Sequence, residues 1–187
     1  MLCGYKRCGK DTFANHLVDN YGYTHLKISK TLKDTLKTLF QFSDDQLETD
    51  LKDIVDRRWN ITPRKAMVFV GTDLFQHKIQ ELLPNIGKNF WIKSTKEIIV
   101  DLYLKNKDCN IVISDLRFIH ELDYINDIKF EYKDITIEIV KIIRPNLQIM
   151  YDKDLYESET QHLSFHFDKI ITNDDHYIDN INHFMTT

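Results

Sequence analysis

Glycine is scarce in this chain, with 5 in 187 residues, and proline is scarcer still, with 3. That scarcity speaks against long flexible linkers, and no internal repeat or low-complexity block is visible. The cysteines number 3, namely Cys3, Cys8 and Cys109, and none forms a CxxC pair. That spacing and odd count speak against a disulfide framework or a cysteine zinc site, and for a reducing compartment. No apolar run approaches the roughly 18 residues that cross a bilayer, and the start lacks a signal-peptide core. The expectation is a cytoplasmic protein with no membrane partner. A basic excess is also missing: 25 Lys+Arg stand against 29 Asp+Glu, a net charge of −4. No nucleic-acid partner is expected, although a local basic cleft for a small phosphorylated molecule is compatible with that balance.

What is present reads as one domain over residues 1–187, with helices and strands in alternation. Phe13, Ala14, Leu17, Val18 and Tyr21 recur at helical spacing, so a helix is expected over Lys10–Tyr21, with Gly22 at its C-terminal cap. Leu32, Leu36, Leu39 and Phe40 mark a second helix. Ser43 and Gln46 have capping-box form and open a helix expected to run through Leu47, Leu51, Ile54 and Val55. Thr62-Pro63 signals another helix start, and residues 90–104 and 177–185 carry two more. Strands are expected at 23–28, 110–114, 135–143 and Lys169–Thr172, with a minimal one before Gly4. The fold class is α/β: a mostly parallel sheet with helices on both faces. The core is placed at about 1–29 and 106–187, with a helical insertion at about 30–105.

Two of the few glycines stand five positions apart in GYKRCGKDT, residues 4–12. This fits GxxxxGK followed by Asp11 where Ser or Thr is usual. A loop wrapping a phosphate turns its N–H groups inward, which takes backbone angles that glycine reaches at no steric cost. The helix that follows points its positive end at the anion, and Lys10 reaches the β and γ phosphates. Gly4, Tyr5, Lys6, Arg7, Cys8, Gly9, Lys10, Asp11 and Thr12 are therefore candidate ATP-binding residues. Either Asp11 or Thr12 is the metal-side group of the loop; the sequence leaves both open. Asp115 ends the NIVIS strand, at the edge where ligands bind in open α/β sheets, and is a candidate for Mg²⁺. Arg117 follows it, and Arg144 lies just past the next strand, where mobile arginines serve phosphoryl transfer. Arg64 sits in the first turn of the helix after Thr62, and Lys33 on the helix of Leu32. Trp59 and Trp91 could line a base pocket or pack the core.

The set GYKRCGKDT (4–12), SKTLK (29–33), ITPRKAMVFVGTD (61–73), FWI (90–92), VISDLRFIHE (112–121), ESE (157–159) and DKIITN (168–173) resembles the P-loop kinases of phages and large DNA viruses that phosphorylate deoxynucleoside monophosphates. The resemblance implies the three-layer nucleoside-monophosphate-kinase-like fold, with the insertion binding the acceptor. It implies ATP and Mg²⁺ as cofactors, and small nucleotides as the partners. ATP phosphates would lie at residues 5–12, with Asn173 beside them. Lys33, Arg64 and the turn Gly71-Thr72-Asp73 would face the monophosphate, with Trp59 and Trp91 in the same site. Lys10, Asp115, Arg117 and Arg144 would be catalytic, with Asp11, Thr12 and Asp115 toward the metal. The pattern departs from the family at Gln76, Val68 and Tyr156. Alternatives are an animal-type phosphomevalonate kinase, which shares the loop, and a non-catalytic nucleotide-binding module. A GTPase-like switch lacks its NKxD, since Asn173 precedes Asp-Asp-His. A homodimer is compatible with the sequence but not specified by it.

Overall fold

Short β-branched runs make the strands of this protein, and in the computed structural model every strand pairing among the described residues is parallel. The structure describes residues 1–145 and 161–186. Strands β1 (Leu2–Cys3), β4 (Val140–Ile143) and β5 (Lys169–Thr172) form one ladder, ordered β1-β4-β5. Strands β2 (Thr24–Leu26) and β3 (Ile111–Ile113) form a second. Leu2 pairs with Val140, Val140 with Lys169, and His25 with Val112. Parallel strands need crossovers, and helices supply them. This is the α/β class expected from the alternation of segments. The expected single sheet is resolved as these two ladders, because β1 is only two residues long and pairs with β4 alone.

The chain divides into two compact units. The first contains Met1–Lys27 and Thr95–Thr187, and the second is Ile28–Ser94. The core of the first unit is set by helix α1 (Lys10–Tyr21), which buries Phe13, Ala14 and Leu17 against Leu2, Val112, Val140, Ile142 and Ile171. Tyr177 and Ile181 of α7 (Tyr177–Thr186) complete the cluster. Burying a side chain such as Phe13 is worth roughly 1.5–3 kcal/mol, so this cluster fixes where the N-terminus of α1 lies. Gly22 caps α1 in the left-handed region at φ 69° and donates its N–H to Leu17 O. Helix α5 (Phe90–Lys105) and helix α6 (Ile119–Glu131) precede and follow β3.

The second unit is helical. Helix α2 (Lys30–Phe40) buries Leu32 and Leu36. Helix α3 (Asp44–Glu48) starts at the capping box expected at Ser43 and Gln46, with bonds of 3.2 and 3.0 Å. It does not continue to Val55. Thr49 is extended, and its hydroxyl accepts from Leu51 N (3.1 Å), opening a 3₁₀ turn over Asp50–Asp53. Helix α4 (Pro63–Val68) begins at Thr62, whose hydroxyl accepts from Lys65 N at 3.2 Å. It then widens into π-helical turns over Phe69–His77, where a turn was expected at Gly71-Thr72-Asp73. Strand β4 is also shorter than expected. Residues 135–139 are not in the ladder, because the partners begin at Leu2 and Lys169 and the first pairings are at Val140. The ESE segment (157–159) and Tyr156 lie outside the described residues.

Candidate active site

Parallel pairing puts the C-terminal ends of β1, β4 and β5 on one edge, and three expected residues follow from it: Gly4, Arg144 and Asn173. Gly4 leaves β1 at φ 138°, and a Cβ there would stand 2.5 Å from Ile142 O of β4. Gly9 has φ 107°, and a Cβ there would stand 2.3 Å from Asn173 Nδ2. Both glycines of the motif are thus required by torsion and by space. Between them the chain turns back on itself. Cys8 N donates to Tyr5 O (3.2 Å), and Arg7 is held at φ 65°. The Lys10 ammonium donates to Gly4 O at 2.8 Å and Tyr5 O at 2.7 Å. Asn173 donates to Cys8 O (2.8 Å), Tyr177 to Gly9 O (2.9 Å) and Arg144 to Arg7 O (3.3 Å). The N-cap position of α1 is Gly9, which brings no side-chain cap to the helix start.

Cys8 is buried in the loop, and burial raises its thiol pKa; the same cause pushes Cys3 up to about 12. Both are inert thiols rather than nucleophiles. Lys6, Arg7 and Thr12 are exposed, and Tyr5 is half-buried.

The end of β3 brings the second group together. Ser114 is buried and donates to Asp11 Oδ1 at 2.8 Å. Ser114 Oγ lies 2.7 Å from His25 Nε2, and Lys27 Nζ lies 3.0 Å from Asp11 Oδ1. Burial works to raise the Asp11 carboxyl, but Ser114 and Lys27 outweigh it and hold the net value low. Burial and the Lys27 charge lower His25, against the pull of Asp11 and Asp115. His25, Lys27, Ser114 and Tyr177 were given no role from sequence. The available signal was the alternation of the strand at 23–28, which puts His25 and Lys27 on one face. Asp115 is half-buried and Arg117 exposed.

The segment carrying Asp115 and Arg117 is tied down by Glu121, which also went without a role. Its Oε2 accepts from Arg117 N (2.9 Å) and Phe118 N (3.0 Å). Burial pushes this carboxyl up to about 7, with the two N–H bonds opposing and the Asp115 charge assisting. The folded state therefore binds this proton more tightly than the unfolded state. The stability Glu121 contributes is full below about 4.5 and is lost as pH rises to about 7. Glu121→Gln is expected to remove this slope. Chemical denaturation from pH 4.5 to 7.5 should show wild type losing about 3 kcal/mol relative to the variant. Parallel profiles would assign the pH dependence elsewhere.

The acceptor candidates Lys33, Trp59, Arg64, Gly71, Thr72, Asp73 and Trp91 all belong to the second unit. Lys33 Nζ pairs with Glu48 Oε2 at 2.6 Å. Arg64 forms a two-bond pair with Asp53, Nη2 lying 3.0 Å from Oδ2. Gly71 approaches Leu32 so closely that a Cβ would stand 2.8 Å from Leu32 Cδ2, and Gly71 O accepts from the Trp91 indole at 2.8 Å. Trp91 is buried, with the half-buried Phe75 and Phe90 rings against it, whereas Trp59 is exposed against Phe40, donating to Phe40 O at 2.7 Å. Thr72 is half-buried and Asp73 exposed.

Magnesium is usually held by one or two carboxylates together with nucleotide phosphates. The donors on the first unit fit that use. Asp11 keeps Oδ2 outside every described contact, and Thr12 offers an exposed hydroxyl. Among the described residues no group of three or more His, Cys, Asp or Glu side chains could hold a metal alone. Nor is any described helix long and apolar enough to cross a membrane.

No protein-family model matches the chain. A protein of Acanthamoeba polyphaga mimivirus, named "Putative deoxynucleotide monophosphate kinase", is 34% identical over 163 residues, covering 86% of this chain and 79% of the viral protein. With that identity over most of both chains, and the α/β fold already described, the chain belongs to the nucleotide kinase family of this viral protein.

Proposed function

We propose that the protein transfers the γ-phosphoryl group of ATP to a deoxynucleoside 5′-monophosphate, giving the diphosphate for DNA precursor synthesis. The observation that carries this reading is the loop of residues 4–9. Two glycines at positive φ curl it around the Lys10 ammonium at the start of α1. The name of the viral relative supports a nucleotide as acceptor.

The reaction needs little covalent chemistry from the protein. An acceptor phosphate oxygen forms a bond to Pγ while the bond from Pγ to the β-bridging oxygen breaks, and ADP leaves. Both reactants are polyanions, so positioning and charge neutralisation carry the rate. Lys10 exchanges its two loop carbonyls for phosphate oxygens. The loop N–H groups and the first turn of α1 bind and orient the phosphate chain. Arg117 and Arg144 supply further positive charge, and Asn173 and Tyr177 hold the loop from behind. Asp11 or Thr12, with Asp115, would hold Mg²⁺, which would supply positive charge to the nucleotide phosphates. Lys33 and Arg64 bind the acceptor phosphate by exchanging their carboxylate partners, while Gly71, Thr72, Asp73, Trp59 and Trp91 shape its surroundings.

ADP release from Mg·ATP across deoxynucleoside monophosphates, ribonucleoside monophosphates and phosphomevalonate tests the proposal. Release should be greatest with a deoxynucleoside monophosphate. Release with phosphomevalonate alone would move the assignment to that kinase class. ATP binding without release on any acceptor would make the protein a binding module.

A further inference from the structure

Asp11 stands where the phosphate loop usually carries a hydroxyl, and its surroundings are built rather than incidental. Three side chains from two segments of the chain converge on one of its oxygens. Ser114, at the end of β3, is buried and lies 2.8 Å from Oδ1. His25 of β2 lies 2.7 Å from Ser114 Oγ and 4.0 Å from Oδ1. Lys27, just past β2, lies 3.0 Å from the same oxygen. An ionised carboxylate has no hydrogen to give, so the single hydroxyl hydrogen of Ser114 goes to Asp11. The bond between Ser114 and His25 must then be donated by His25 Nε2–H. The direction of the string is fixed: His25 to Ser114 to Asp11. It does not activate the Ser114 hydroxyl as a nucleophile. It holds a carboxylate.

All of these contacts fall on Oδ1, leaving Oδ2 for a ligand, directly after Lys10 in the chain. We propose that Ser114 and His25 are positioning residues that make Asp11, rather than Thr12, the metal-side group of the loop, and that Lys27 opposes the metal there. Asp11 and Thr12 are both exposed, and the described contacts that support Asp11 have no counterpart at Thr12. Lys27 places a positive charge on the carboxylate that the metal would share, so it weakens the metal's gain. The inference rests on the reading of residues 4–12 as an ATP-binding loop.

Metal and nucleotide are coupled, so the strength of the metal contact can be read from nucleotide binding alone. The quantity is the ratio of the Kd of mant-ATP in EDTA to its Kd in Mg²⁺, measured with the full chain. Outer-shell partners of metal ligands are typically worth about 10–100-fold in metal affinity. Ser114→Ala should therefore lower the ratio about tenfold or more, with the Kd in EDTA nearly unchanged. Ser114→Thr, which keeps the hydroxyl, should restore it. Lys27→Met should shift the ratio the other way, upward, and as a half-exposed position it remains informative if Ser114→Ala fails to fold. A ratio unchanged in Ser114→Ala, or lowered in Lys27→Met, would overturn the proposal. Wild-type protein that binds no mant-ATP in either condition would overturn it together with the ATP-binding reading, a result distinct from normal binding with an unmoved ratio.

Discussion

Lys10→Ala should lose turnover by about 10²–10³, the effect of removing one preorganised charge from a phosphoryl-transfer site, or ~2.7–4 kcal/mol of barrier. The loss should appear in kcat as well as in the KM for ATP, because the charge on the γ-phosphoryl oxygens redistributes during transfer. The fold should be barely affected. Lys10 donates to Gly4 O and Tyr5 O, both on half-buried residues that water can reach after truncation. A thermal midpoint within a few degrees of wild type is the expected companion result. Lys10→Arg should not rescue, since a planar fork does not replace a compact ammonium inside a tight loop. Steady-state ADP release at saturating Mg·ATP measures the effect, and near-normal turnover would remove the loop from the mechanism.

Gly4→Ala should be strongly destabilising, because the methyl would meet backbone rather than a side chain that can move. The residue is at φ 138°, which costs a non-glycine residue of order 1–3 kcal/mol. The new Cβ would also stand 2.5 Å from Ile142 O, a backbone atom of the central strand β4. That oxygen cannot retreat without disturbing both neighbours of β4, so strain and clash add. A loss of about 3 kcal/mol or more is expected, a fall of roughly 6–12 °C in thermal midpoint for a domain of this size. Gly22→Ala is the control. Its φ is 69°, but a Cβ there meets nothing within 4 Å. It should cost only about 1 kcal/mol, the torsional part alone. Equal losses at the two positions would mean that close approach to β4 plays no part.

Local chemistry made much of this fold legible. Helix α1 occupies the expected Lys10–Tyr21 because its apolar spacing and its glycine cap are properties of a dozen adjacent residues. The Thr62-Pro63 start and the Ser43 capping box were readable for the same reason. What the sequence hid depends on partners far along the chain. The length of β4 is set by where β1 and β5 meet it, at Leu2 and Lys169, not by the β-branched run that begins at Ile135. The widening of the helix at Phe69–His77 accompanies the close packing of Gly71 on Leu32 and the Trp91 indole bonded to its carbonyl. Periodicity carries no trace of either contact.

The candidate site divides along the same line. The loop of residues 4–12 could be read because its glycines, lysine and helix start are contiguous. Asp11 departs from the local pattern, and no neighbouring residue in the sequence accounts for it. Its explanation lies in Ser114, His25 and Lys27, on or just past strands β2 and β3. Glu121 lies within VISDLRFIHE, yet its bond to the backbone of Arg117 appears only once α6 is folded against that segment. Lys33 and Arg64 were singled out as cations, and each already holds a carboxylate, Glu48 and Asp53 respectively.

Transfer of label from [γ-³²P]ATP tests the proposed reaction most directly. Wild-type protein with Mg²⁺ and a deoxynucleoside monophosphate should yield labelled deoxynucleoside diphosphate, and Lys10→Ala should yield almost none. Label appearing only as inorganic phosphate, or an equal yield of labelled diphosphate from the Lys10→Ala protein, would contradict the account.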